Sequence, residues 1–397
     1  MNKYLCTVLI IILSTLTSLS ADSWVDKMPM PTARHDMACG VTGDILYIIG
    51  GSIGGATVSA VEAYNPATNS WTTLPNMIAS VSGNRGAAVN DTVYSLGGWR
   101  GNARLAHNFA FDPHTYQWHW RHSMPTPRYD YGCAVVDGKI YAIGGDIYDQ
   151  LSGACEAYDP ATDTWTRKAN MPTPRFELAC TAANGKIYAI GGRIGWTYID
   201  ANEMYDPVTD TWTTCAPMPS PRGVLAVVAI DSLIYAIGGY DGYNHHGTNE
   251  VYNVNTNTWT TKTPMPFPRK SIGSGVINGK IYVVGGSYAG GYLTINQEYT
   301  PDVGVEEHST NTQPDIEDVR VSMTSSCVSL SLSSPGESEM TISLYDATGR
   351  LQDEWIVQET HTVSLKPSRG VNFAKGVYFI KIECEDFKMS KKVVCVR

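Results

Sequence analysis

Short runs in which apolar and polar residues alternate recur along most of the chain, separated by glycine- and proline-rich turns. One stretch shows the pattern. Tyr131 to Val136 is followed by Lys139-Ile140-Tyr141-Ala142-Ile143, then Glu156-Ala157-Tyr158, an Asp159-Pro160 turn, and Thr164-Trp165-Thr166. Alternation over a few residues predicts short strands with one face buried. The stretch therefore predicts four strands in succession. Long helical-period segments are absent.

The four-strand pattern repeats. Glycine pairs stand at Gly50-Gly51, Gly97-Gly98, Gly144-Gly145, Gly191-Gly192, Gly238-Gly239 and Gly285-Gly286, each 47 residues after the last. Tryptophans keep the same step at Trp24, Trp71, Trp118, Trp165, Trp212 and Trp259. An aromatic does likewise at Tyr64, Phe111, Tyr158, Tyr205, Tyr252 and Tyr299. Three markers with one period indicate a repeat architecture. Glycine serves where backbones approach closely or φ is positive. The large aromatics fill gaps between twisted sheets. Four-strand units set radially make a propeller.

The glycine pair, aromatic and tryptophan at these offsets resemble the kelch repeat, in six copies over residues 22–301. The resemblance implies an all-β, six-bladed propeller. Trp24 has no strands of its own before it, and the sixth unit has no tryptophan after Tyr299. The Trp24 strand is therefore expected to complete the last blade.

Residues 1–21 read as a cleaved signal peptide: Lys3, an apolar run from Tyr4 to Leu13, and Leu19-Ser20-Ala21 before Asp22. That run is too short to span a bilayer, and no later segment spans one. The net charge of −9, without a basic stripe, excludes nucleic acid as the expected partner. Eight cysteines follow the leader, none in metal-binding spacing, so neither a metal nor another cofactor is expected. Residues 302–318 are polar and acidic and read as a linker.

Alternation resumes over residues 319–397, in Thr341 to Tyr345, Gly376 to Ile382 and Lys391 to Val396, predicting a small immunoglobulin-like β-sandwich. Gly349-Arg350, Gly376-Val377-Tyr378 and the terminal Lys-Lys-Val-Val resemble type IX secretion sorting domains. This implies contact with a secretion machinery and delivery outside the cell or to its surface. A plain structural module is the alternative.

Arginines recur at Arg34, Arg128, Arg175, Arg222 and Arg269, and glutamates at Glu62, Glu156, Glu203 and Glu250. Blade two has Val81 and Phe109 at these places, and blade six has Gln297. The joint loss in blade two is what a buried ion pair predicts, because removing one partner alone leaves a stranded charge. A ring of arginines gripping an anion is the competing reading.

Two other sets of positions vary among blades. Asp36, Gly83, Asp130, Glu177, Val224 and Ser271 follow the arginine register by two. Ser52, Trp99, Asp146, Arg193, Tyr240 and Ser287 follow the glycine pairs. Kelch resemblance implies that these loops form the ligand face. Candidate ligand-binding residues are Asp36, Trp99, Arg100, Asp130, Asp146, Glu177, Arg193, Trp196, Tyr240 and Tyr243. Alternatively, the aromatics only cover neighbouring loops. His245-His246 lack a spaced third ligand. Cys39, Cys133 and Cys180 share a register filled by small residues elsewhere and read as core residues. No nucleophile elbow or phosphate-binding loop is present.

The expectation is an exported binding module for a protein or glycan ligand. The alternative is a carbohydrate-active enzyme similar to sialic-acid mutarotases, which would recruit Asp130, Asp146, Glu177 and Arg193 as an acid/base set.

Overall fold

In the computed structural model the described residues are 22–148, 150–301 and the strand segments between 319 and 395. The leader over 1–21 and the linker over 302–318 lie outside the described residues. The chain divides into two compact units, Met1–Asp302 and Val303–Arg397. Among the described residues there is no helix, and so none able to cross a membrane.

The first unit contains six four-stranded antiparallel sheets. Blade three is representative, with strands Gly132–Val136, Lys139–Ile143, Cys155–Asp159 and Thr164–Lys168 in sequential order. Its second and third strands are buried and its fourth lies towards solvent. The first strands of the six blades begin at Ala38, Arg85, Gly132, Ala179, Ala226 and Gly273. Each touches the next and the sixth touches the first, so the ring is closed around a central channel.

Blade six is built from both ends of this unit. Ser23–Asp26 pairs antiparallel with Asn296–Thr300, setting Trp24 opposite Tyr299. Their rings lie 4.9 Å apart. Trp24 Nε1 also donates to the Thr263 carbonyl at 3.0 Å, crossing to blade five. Tryptophans of the other blades stitch backwards in the same way, as when Trp165 donates to His122 and Trp212 to Ala169, both at 2.8 Å. Packing between adjacent sheets supplies the core. Ile143, Ala157, Leu178 and Tyr205 meet in one such layer between blades three and four.

The glycine pairs mark where blades abut. Gly145 donates its N–H to the Arg175 carbonyl of the next blade at 2.9 Å, and Gly286 closes the cycle onto Arg34 at 3.0 Å. A Cβ on Gly144 would stand 2.9 Å from the Arg175 oxygen, and its φ is +71°. Both facts require glycine.

The second unit holds a three-stranded sheet, of Val319–Met323, Val328–Leu332 and Thr362–Leu365. It also holds a four-stranded sheet in which Met340–Asp346 lies between Leu351–Val357 and Gly376–Cys384, with Phe387–Cys395 at the edge. Ile342, Leu344 and Ile380 are buried there.

Candidate functional site

The first strand of each blade starts at the end where the second strand stops, because the two are antiparallel. The inter-blade loops and the second-to-third-strand loops therefore share one face. Bridges such as His35 to Ser52, Tyr129 to Asp146 and Phe176 to Arg193 join the two loop sets.

A ring of main-chain hydrogen bonds surrounds the channel mouth on that face. Gly83 N–H donates to Asp36, Asp130 to Gly83, Glu177 to Asp130, Val224 to Glu177, Ser271 to Val224, and Asp36 back to Ser271, at 2.7–3.3 Å. All six residues have positive φ, from +47° to +63°. Asp tolerates this conformation, whereas the β-branched Val224 is strained by it. Since the backbone makes the ring, side chains at these positions can differ from blade to blade.

Beneath the ring lie the arginines. Arg34, Arg128, Arg175, Arg222 and Arg269 are all 0% exposed, so their guanidinium groups are shielded from solvent. Arg34 meets Glu62 at 2.5 Å, Arg128 meets Glu156 at 2.7 Å, Arg222 meets Glu250 at 2.5 Å, and Arg175 pairs with Glu203. The remaining guanidinium nitrogens donate to carbonyls, as Arg175 does to Gly191 and Ala189. The second carboxylate oxygen accepts from Thr32, Thr126, Thr173 or Ser220. That hydroxyl was missed in the sequence, although it carries a signal: the register reads Ala79 in blade two and Phe267 in blade six, where the glutamate is also lost.

The variable side chains form a polar cluster at the mouth. Arg193 Nε lies 2.9 Å from Glu177 Oε1, and the Tyr198 hydroxyl donates to Glu177 Oε2 at 2.8 Å. Arg104 Nε lies 3.1 Å from Asp146, which is only 8% exposed. Asp36 pairs with His35 Nδ1 at 2.7 Å. Asp130 has a looser ion pair, 3.9 Å to Arg85 Nη2. Burial, together with neighbouring Asp36 and Glu177, holds the Asp130 carboxyl well above the usual carboxylate range. Burial is the largest influence on Asp36 too, but hydrogen bonds to His35 and Ser271 and the charges of His35 and Arg85 together outweigh it and keep that carboxyl low. Of the residues in the enzymatic alternative, Asp130, Glu177 and Arg193 are within electrostatic reach of one another, and Asp146 is engaged by Arg104.

Aromatic residues rim this cluster on blades four to six. The Arg193 guanidinium lies 4.0 Å from the Phe176 centroid and 5.4 Å from that of Trp196. Tyr198, Tyr240, His245 and Tyr288 continue the rim in successive ring contacts of 4.9–5.8 Å. Lys270 Nζ sits 4.0 Å over Tyr240. Trp196 is 92% exposed and Tyr243 90%. On blades one and two the arrangement opens instead. A cavity of about 340 Å³ lies there, with Trp99, Tyr129, Tyr292 and His35 around it and Asp36 and Asp130 among its walls. Arg100 is exposed beside it, just past the half-buried Trp99.

Below the mouth a cavity of about 170 Å³ occupies the channel, with Cys39, Cys133 and Cys180 on its wall. Burial pushes the Cys39 thiol up to about 11 and Cys133 to about 12, so both stay protonated and unreactive. Arg85 also lines this cavity and donates to the Tyr131 carbonyl at 2.6 Å. It was not singled out from sequence, yet its register holds Ala38, Gly132, Ala179, Ala226 and Gly273 in the other blades. His246 Nε2 pairs with Asp241 at 3.0 Å. Among the described residues no cluster of three or more His, Cys, Asp or Glu could hold a metal.

Comparison with known proteins agrees with this architecture. A family model for the KLHDC2/KLHL20/DRC7 Kelch-repeats domain matches twice, over residues 2–145 and 88–286. A model for a secretion system C-terminal sorting domain matches residues 324–396, which points to secretion or the cell surface. A search of curated proteins found no match. The glycine, tyrosine and tryptophan registers, the six closed blades and the matched span, more than half of the chain, together make this chain a member of the kelch-repeat family that carries a C-terminal secretion sorting domain.

Proposed function

We propose that the chain is an exported binding module that seats a partner polypeptide on the loop face, centred on the aromatic rim of blades four to six. The observation that carries this is the near-complete exposure of Trp196 and Tyr243 beside the Arg193 and Tyr240 stacks. Large exposed rings cost free energy in water unless a partner covers them, and Trp, Tyr and Arg dominate the energetics of protein interfaces. The sorting domain favours action outside the cell.

The test immobilises the full chain and offers it surface proteins and, in parallel, a glycan array. Trp196→Ala with Tyr243→Ala should abolish protein capture while leaving the melting temperature unchanged, since both rings are exposed. Capture that survives the double variant would refute the reading. Glycan binding lost in the same variant would replace the polypeptide by a saccharide, whose rings also stack on flat aromatics.

A further inference from the structure

We propose that the cavity over blades one and two is a pocket for a cationic side chain, a lysine ammonium or arginine guanidinium presented by the partner polypeptide. The inference deepens the protein-binding reading and rests on it for the source of the cation, but not for the pocket's chemistry.

Three features of the cavity lead there. Its volume, about 340 Å³, falls within the range of sites that enclose small groups. Its rings are aromatic: Trp99, Tyr129, Tyr292 and His35, the last stacked on Tyr292 at 5.1 Å. A cation gains from aromatic faces when water is excluded. Asp36 and Asp130 contribute carboxylates to the same lining.

The charge balance around Asp130 is unfinished. Asp36, Glu177, Arg85 and Arg193 act on it electrostatically, but Arg193 is taken by Glu177 at 2.9 Å. Arg85 is 3.9 Å away and spends its other nitrogens on the Tyr131 and Asn84 carbonyls. Asp36 is engaged by His35. A largely buried carboxylate whose nearest cation is 3.9 Å away is the electrostatic condition that an arriving cation relieves. Burial first, and the neighbouring Asp36 and Glu177 after it, raise the proton affinity of Asp130, so a bound cation competes with a proton there.

The pocket exists because the ring position in blade two is glycine. A Cβ on Gly83 would stand 3.1 Å from Asp130 Oδ1 and 3.3 Å from the Tyr129 ring. The other five blades carry side chains at this register in the same backbone conformation. A side chain at 83 can therefore adopt the backbone of the ring, but it would press on Asp130 and Tyr129 and narrow the opening.

Calorimetry on the full chain tests this with agmatine as the guanidinium probe, butylammonium as the ammonium probe and butanol as the neutral control. Both cations should bind, tighten as pH rises through the raised range of the Asp130 carboxyl, and release a proton that shows as buffer-dependent heat. Butanol should not bind. Asp130→Asn, which keeps the side-chain size and tolerates positive φ, should weaken both cations about tenfold or more. Gly83→Asn should block them while still unfolding in one cooperative transition, its melting temperature lowered by the tight contact at Asp130. Equal binding of butanol, or full agmatine binding by Asp130→Asn or Gly83→Asn, would overturn the pocket. Agmatine binding to a chain that captures no protein would leave the pocket standing and remove only the polypeptide.

Discussion

Arg269 Nη1 donates to Gln297 Oε1 at 2.7 Å, where four other blades set a carboxylate against the guanidinium. Gln297 passes the interaction outward, donating from Nε2 to Asp26 Oδ1 at 2.9 Å. The counter-charge of blade six thus sits on the amino-terminal strand, two residue pairs along from the Trp24–Tyr299 contact. Gln297→Glu would match the other blades in sequence, yet it should lower the melting temperature by about 2–4 °C by setting two carboxylates face to face. Adding Asp26→Asn should restore the loss. An increase in melting temperature with Gln297→Glu alone would show that Asp26 is not the counter-charge.

Arg175→Leu should cost about 3–5 kcal/mol in denaturant unfolding, because Glu203, 3% exposed, is left without its guanidinium. The triple change Thr173→Ala, Arg175→Val and Glu203→Phe should recover most of that. Blade two already carries this solution as Ala79, Val81 and Phe109, with Val81 0% and Phe109 1% exposed. Equal destabilisation by the single and triple variants would argue against coupling.

The scaffold was legible in the sequence because its physical requirements are local and identical in every blade. Gly144 must avoid a neighbouring carbonyl, and Trp165 must reach one. A further repeated device was present but unread. Asn69, Asp163, Asp210 and Asn257 precede the tryptophans of four blades by two, adopt positive φ, and accept from the tyrosine hydroxyl of their own blade and a main-chain N–H of the preceding one. Asp22 does the corresponding work for Thr263 N–H at 3.3 Å. The loop face was only partly legible. Its residues could be named from their irregularity, but irregularity does not say that Arg193 closes on Glu177, or that the absence of a side chain at Gly83 opens a cavity. Those outcomes depend on contacts between blades that share no sequence neighbourhood.

His107 should make the protein acid-sensitive. Burial, with Arg100 nearby, pushes its imidazole down to about 3 from an ordinary 6.5. Its ring stacks 4.2 Å from Phe109 and is 9% exposed. The folded protein keeps it neutral, whereas the unfolded chain takes up a proton below pH 6.5. Stability is therefore present above that pH and lost as pH falls towards about 3. His107→Phe should gain on the order of 2 kcal/mol over the parent at pH 4, and much less at pH 8. Parallel stability–pH curves for the two proteins would contradict this.

The closing strand also fixes where the propeller can be held. Thr300 ends the third strand of blade six at the side away from the loop face, and antiparallel register sets Ser23 directly across from it. The first and last strands of the propeller thus end side by side at one point on its underside. Neither of these strand ends comes near the crown, so the seam that closes the circle is sewn on the side opposite the variable loops.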